Sequence, residues 1–318
     1  MRTVLAVSCL LVWSGYTCAQ EYPVKTVRVI VPWAAGGSTD SIGRILAAKL
    51  TEYTGQQFII DNRAGATGTI GHGQAAKSVP DGYTLLFGTN STFAIAPHLY
   101  KLQYDNDASF APLSLLAISP QILSVHPSIP VKSVKDLVAL AKSKPGQLVF
   151  SSAGPGSTSH LATELLMSMA AIKMTHVPYK GGGPSAQALL GGETMLSFVD
   201  VITALPFAKA GKLRPLAAST AKRAAMMPEL PTISETGLPG FESSTTFAAF
   251  APAGTPRDVI AKLNRELVRA LSAADVKEKL FNQGIETLGT SPDEFVAYNK
   301  VESSKWGKVI REQGIKLE

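Results

Sequence analysis

Four stretches of the chain carry the residue types and spacing that could hold a small anion. Each joins a short β-branched or apolar run to a glycine-rich turn, most of them bearing hydroxyls, and then to a helical pattern. They fall at residues 31–40, 61–71, 151–160 and 176–184. The first offers Trp33, Ala35, Gly37, Ser38 and Thr39, and the second Ala66, Thr67, Gly68 and Thr69. The third offers Ser152, Ser157, Thr158 and His160, and the fourth Tyr179 before three glycines. A turn of this kind exposes unpaired backbone N–H groups at a helix start, where the helix dipole is positive, and glycine lets the backbone approach a ligand closely. Such groups suit a carboxylate. Thr89 and Ser91 form a polar strand end predicted to face the same cleft, and Asp200, closing an apolar run, either caps the next helix or faces a ligand cation.

Other chemistries fail on spacing. No GxxxxGK[ST] or GxGxxG phosphate loop occurs, and the five histidines show no HxH or HExxH pairing. There is no GxSxG elbow either. Ser157 and His160 share a helix start and could suggest an exported hydrolase, but their spacing by itself supplies no third, orienting acid. His160 also reads as support for its own helix start, and Tyr179 as a packed loop residue. The sequence is therefore read as a binding module without catalytic residues, cofactor or metal site.

The elements that must position these loops are short strands alternating with helices. Strands are expected near residues 26–31, 58–60, 84–87, 148–150, 174–177, 196–199 and 213–217, with helical stripes such as Ile42, Ile45, Leu46 and Leu50 between them. This is an α/β chain of βαβ units, each domain a mostly parallel sheet flanked by helices. Residues 110–130, broken by Pro112, Pro120, Pro127 and Pro130, and residues 241–256 lack the alternation and read as two hinge crossings. Domain 1 is then 21–118 plus 246–318, and domain 2 is 119–245. In the C-terminal part, Ile260, Leu263, Leu267 and Leu271 share a helical stripe, and Ser291-Pro292-Asp293-Glu294 forms a capping box.

Composition agrees with an exported globular protein. Arg2, the apolar run from Val4 to Trp13 and the small residues before Gln20 read as a signal peptide over residues 1–19, directing the chain to the periplasm. Both cysteines, Cys9 and Cys18, lie in that segment. Removing Arg2 lowers the 30 basic residues to 29 against 24 acidic, so the net charge of +6 becomes +5. No basic run is interleaved with aromatics, which argues against a nucleic-acid partner.

At these loops the chain resembles the substrate-binding proteins of tripartite tricarboxylate transporters, the Bug family. The shared features include Val31-Pro32-Trp33 with Gly36-Gly37 and Asp40, Asn62-Arg63 with Gly65 and Gly68, and Pro80-Asp81-Gly82-Tyr83. His176-Val177-Pro178-Tyr179-Lys180-Gly181-Gly182 and Ala251-Pro252-Ala253-Gly254-Thr255-Pro256 continue them. The resemblance implies a monomeric, two-domain periplasmic-binding-protein fold of the clam-shell type II kind. It also implies a small carboxylate ligand, a dicarboxylate or aromatic acid, delivered to a two-subunit membrane permease; a ligand sensor that signals to another partner has the same fold. The resemblance places one ligand carboxylate, partly through water, at Trp33 to Thr39 and Ala64 to Thr69. Two departures stand out. Ala64 replaces a common proline, and Phe198-Val199-Asp200 moves the acid of a frequent Phe-Asp pair by one position.

Overall fold

The structure, a computed structural model, describes residues 22–312 and 314–316. The signal-like segment and both cysteines lie outside the described residues. The first unit comprises β1 (Val27–Val31), α1 (Ser38–Thr54), β2 (Phe58–Asn62), α2 (Thr69–Ala76) and β3 (Thr84–Thr89). β1 pairs in parallel with β2 and β3, as the alternation of strands and helices requires. Val27, Val29 and Val31 are fully buried, their side chains lying on one face of β1.

The chain then crosses along β4 (Phe110–Val125) into a second unit. This contains α3 (Val134–Ser143), β5 (Val149–Ser152), α4 (Thr158–Ala170), β6 (Thr175–Pro178) and α5 (Gly182–Leu190). It continues with β7 (Leu196–Asp200), α6 (Val201–Lys209) and β8 (Arg214–Ala218). The return crossing is β9 (Ser244–Pro252), followed by α7 (Arg257–Ser272), α8 (Ala274–Phe281), β10 (Glu286–Thr287) and α9 (Pro292–Glu312). The capping box forms as expected: Ser291 N donates to Glu294 Oε2 at 2.8 Å, and Glu294 N donates to Ser291 Oγ at 3.3 Å.

The strands form one mixed sheet in the order β2-β1-β3-β9-β4-β7-β5-β6, with β8 and β10 also on β4. Pairing is parallel on both outer sides and antiparallel wherever a crossing strand takes part. The sheet is thus less uniformly parallel than the βαβ pattern alone suggests, because β4 and β9 carry the chain across in opposite directions. β4 is also a single strand of 16 residues rather than a broken one. Proline is tolerated there because the ladder with β9 shifts register beside Pro112 and ends at Pro120, where β4 exchanges β9 for β7 and β8.

Each unit has its own core. β5, α3 and α4 enclose Phe150, Leu137, Ala162 and Leu166, while Phe93, Phe110, Phe250 and Phe295 cluster on the other side of the molecule. A further apolar cluster crosses between the units, joining Val31 and Leu46 to Ala186, Val201 and Leu205.

Candidate functional site

The N-termini of α1, α4, α5 and α6 converge on one small cavity of about 40 Å³ between the two units. Gly37, Ser38 and Thr39 line it from α1, Ser157, Thr158 and Ser159 from α4, and Gly182 and Ser185 from α5. Phe198, Val199, Asp200 and Thr203 close it at the end of β7 and the start of α6. Trp33, Ala153, Thr89, Ser91, Gln121 and Thr245 complete the wall. Among the described residues Asp200 is the sole acidic or basic side chain in this lining, so the positive helix ends are the main source of attraction for an anion.

Two buried donors point to a polar occupant. Trp33 Nε1 and Thr89 Oγ1 have no hydrogen-bond partner among the described residues, although Trp33 is 6% and Thr89 3% exposed. Burying such groups unpaired is costly, so ligand-binding clefts are where they are expected.

The first loop is held by a buried acid. Asp40 accepts hydrogen bonds from Gly36 N and Asn62 Nδ2, each at 3.1 Å, and pairs with Arg44 at 2.9 Å. Burial pushes its carboxyl up, but the bonds from Arg44, Gly36 and Asn62 outweigh burial and hold it below the usual carboxylate range. Asp40 therefore shapes the loop and does not face the ligand.

Asp200 behaves differently. It occupies the N-cap position of α6, yet its side chain makes no capping bond. Instead Ser38, from α1, donates to Asp200 Oδ2, and Thr245 donates to Oδ1 at 2.7 Å. The carboxyl thus reaches across the cleft, and the expected capping role is not observed. Burial pushes this carboxyl above its ordinary range despite the bonds from Ser38, Thr245 and Gln121.

Other bonds tie the two sides together. Thr158 N donates to Ser91 Oγ at 2.9 Å, and Thr158 Oγ1 donates to Asn90 Oδ1 at 3.1 Å. Asn90 is fully buried and is itself held by Glu302 from α9, whose Oε1 accepts from Asn90 Nδ2 at 3.1 Å and from Trp306 Nε1 at 2.7 Å. Ala34 N donates to Lys180 O at 3.3 Å, beside a contact of glycine on glycine between residues 36–37 and 183. The structure is therefore that of a closed cleft.

Several predicted residues lie elsewhere. Ala66, Thr67, Gly68 and Thr69 do not reach the cavity wall. Ala66, Thr67 and Gly68 are all left-handed, with φ of 44°, 51° and 86°, and this run turns Thr67 Oγ1 toward Pro155 O, to which it donates at 2.7 Å. The second loop thus braces the third. Ala35 is exposed, and Ser152 bonds His176 Nε2 at 2.6 Å. Tyr179 donates to Glu193 Oε2 at 3.2 Å. The His160 ring accepts from Gly156 N at 3.0 Å and lies 3.3 Å from Glu164, supporting its own helix start. Ser157 Oγ accepts instead from the backbone N of His160 at 3.3 Å, so no nucleophile and base pair is assembled. Gln121 and Thr245 were not anticipated, although a glutamine within the apolar run of β4 was a visible signal.

The model of the tripartite tricarboxylate transporter family receptors matches residues 42–315. The chain belongs to this family. Among its relatives, Protein BugT of Bordetella pertussis is 36% identical over 305 residues, covering 94% of this chain and 92% of BugT. The receptor fold is equally close to solved structures. R. palustris Rpa4515 with adipate superposes with a TM-score of 0.91 at 38% identity, covering 93% of this chain and 99% of the other. MatC from Rhodopseudomonas palustris with bound malate gives 0.87 at 34% identity, covering 91% and 100%. Periplasmic binding protein BugD superposes with a TM-score of 0.90 at 31% identity, covering 93% and 100%, so this receptor has the two-domain fold of such proteins, and its family and structural neighbours are receptors and binding proteins rather than enzymes. Among the described residues, no helix is long and apolar enough to cross a membrane.

Proposed function

We propose that this chain is a periplasmic substrate-binding protein that captures a small organic carboxylate and delivers it, as a monomer, to a two-subunit membrane permease of the tripartite tricarboxylate type. The observation that carries this reading is the convergence of four helix N-termini on a cleft whose wall, among the described residues, holds no lysine, arginine or histidine. Backbone amides and hydroxyls bind carboxylates well, and the adipate and malate of the two similar structures belong to that class.

The ligand is gripped by Trp33, Gly37, Ser38, Thr39 and Thr89 on one side and by Ser157, Thr158 and Asp200 on the other, with Ser91 at the seam. Domain 1 comprises 21–118 and 246–318, and domain 2 comprises 119–245. The β4 and β9 ladder, from Phe110 opposite Pro252 to Pro120 opposite Ser244, is the hinge about which they part. A ligand drives closure only through its higher affinity for the closed form, where both domains touch it.

Thermal melting of the mature protein with succinate, malate, glutarate, adipate, benzoate and nicotinate tests this reading. A ligand at 100 times its dissociation constant adds roughly 2.7 kcal/mol and raises the melting temperature by a few degrees. If none of these acids shifts the melt, the carboxylate reading is wrong.

A further inference from the structure

We propose that Asp200 binds the ligand as a neutral carboxylic acid, donating its proton to a ligand carboxylate, so that closure on a dicarboxylate takes up a proton from solvent. This inference rests on the carboxylate-binding reading and identifies how one end of a diacid is recognised.

The cleft is built for acceptors. Helix N-termini surround it, and the unpartnered Trp33 Nε1 can only donate. Asp200 is the exception, the one group in the lining that would bring negative charge to an anion site. Among the described residues, no side-chain cation in the lining offsets that charge. From α1, Asp40 is turned to Arg44 and Asn62, and from α4, His160 is turned to Gly156 and Glu164. β4 and β9 present only the neutral Gln121 and Thr245 to it, and the wall from α5 and α6 is likewise neutral.

An ionised Asp200 would therefore face the ligand carboxylate across a narrow cleft and compete with it for the same helix N-termini, with no side-chain cation in the described lining to offset the repulsion. Protonation turns the repulsion into a hydrogen bond. Ser38 and Thr245 each donate a hydroxyl to one carboxyl oxygen and Gln121 adds a third bond, so of the roughly four acceptor positions of the carboxyl one is left for a proton directed at the ligand. Burial of this carboxyl acts in the same direction.

The bond from Ser38 joins the two sides, so it forms, and the acid is enclosed, only on closure. In the open protein Asp200 faces water and is ionised at neutral pH. The balance is one aspartate carboxylate, one proton and one ligand dianion giving a closed complex that holds the proton between two carboxyl groups. The proton comes from the buffer, and no bond to carbon changes.

Affinity for a dicarboxylate should then fall about tenfold per pH unit between the open and closed values for this acid, because the complex binds one proton more than its separate parts. The test is isothermal titration of the protein with adipate, malate and succinate from pH 6 to 9, in buffers of different ionisation enthalpy. Uptake approaching one proton per diacid at pH 7 is the expected result. Asp200→Asn, which keeps an N–H donor, should bind within about threefold of the natural protein at pH 6 and lose the pH dependence.

Binding of these diacids without proton uptake overturns the proposal and leaves the carboxylate reading standing. So does Asp200→Asn binding at least tenfold more tightly than the natural protein at pH 6, which would mark an ionised, repelling Asp200. If neither these diacids nor any acid of the melting panel binds, both readings fall together. The wild-type proton count does not depend on whether the variant folds.

Discussion

Ser38 and Thr67 show how residues of like chemistry acquire different work from their backbones. Ser38 opens α1 and faces the cavity, whereas the left-handed run around Thr67 aims its hydroxyl at Pro155 in the other unit. Ser38→Ala should weaken carboxylate binding at least tenfold, about 1.4 kcal/mol, since it removes the bond that ties Asp200 to α1 across the cleft. Thr67→Val should cost only about threefold, because Tyr100 OH still donates to Pro155 O. Calorimetric titration of the two variants separates them; equal losses would return Thr67 to the ligand's own contacts.

At the level of elements, closure depends on helix starts that meet without side chains between them. A Cβ on Gly183 would lie 3.1 Å from the backbone of residues 36–37, tighter than most real contacts. Gly183→Ala is therefore expected to hold the cleft slightly open and weaken binding by about tenfold while changing the melting temperature of the ligand-free protein by no more than a few degrees. X-ray scattering with saturating ligand should show a larger radius of gyration than for the natural protein. The elements themselves were readable in advance. β-branched alternation marked the strands to within a residue or two, and the capping box marked α9, because both signals are local. Three of the four glycine-rich loops line the cleft. What could not be read was the handedness of residues 66–68, the partner of Asp200, or the part played by Thr245, since each depends on segments far apart in sequence.

For the whole molecule, buried histidines set the response to acid. His72 is wholly enclosed among Tyr104, Phe110 and Phe250, and burial brings its value down to about 3. His176, lowered to about 3 by burial and then by neighbouring His160, is half-buried. Both are neutral when folded and bind protons when unfolded once the pH drops below about 6.5. Their contribution to stability is present above that value and is lost as pH falls toward 3. Near pH 5, His72 alone should account for a slope of roughly 1.4 kcal/mol per pH unit, with a smaller share from His176 because water screens it. Chemical denaturation between pH 7.5 and 4 checks this; a His72→Gln variant should lose about one proton from the slope, and an unchanged slope would place the acid sensitivity elsewhere.

Trp306, near the end of the chain and fully buried, bonds the same Glu302 that steadies Asn90 beside the cleft. That arrangement makes the first unit depend on α9. The unit that begins with β1 cannot complete its interior until α9 has joined it, so more than 200 residues separate Asn90 from the group that holds it. Contacts of such long range form late and slowly. A chain truncated ahead of α9 would keep the sequence of every glycine-rich loop but lose the group that holds Asn90 beside the cleft, and is expected to lose ligand binding with it.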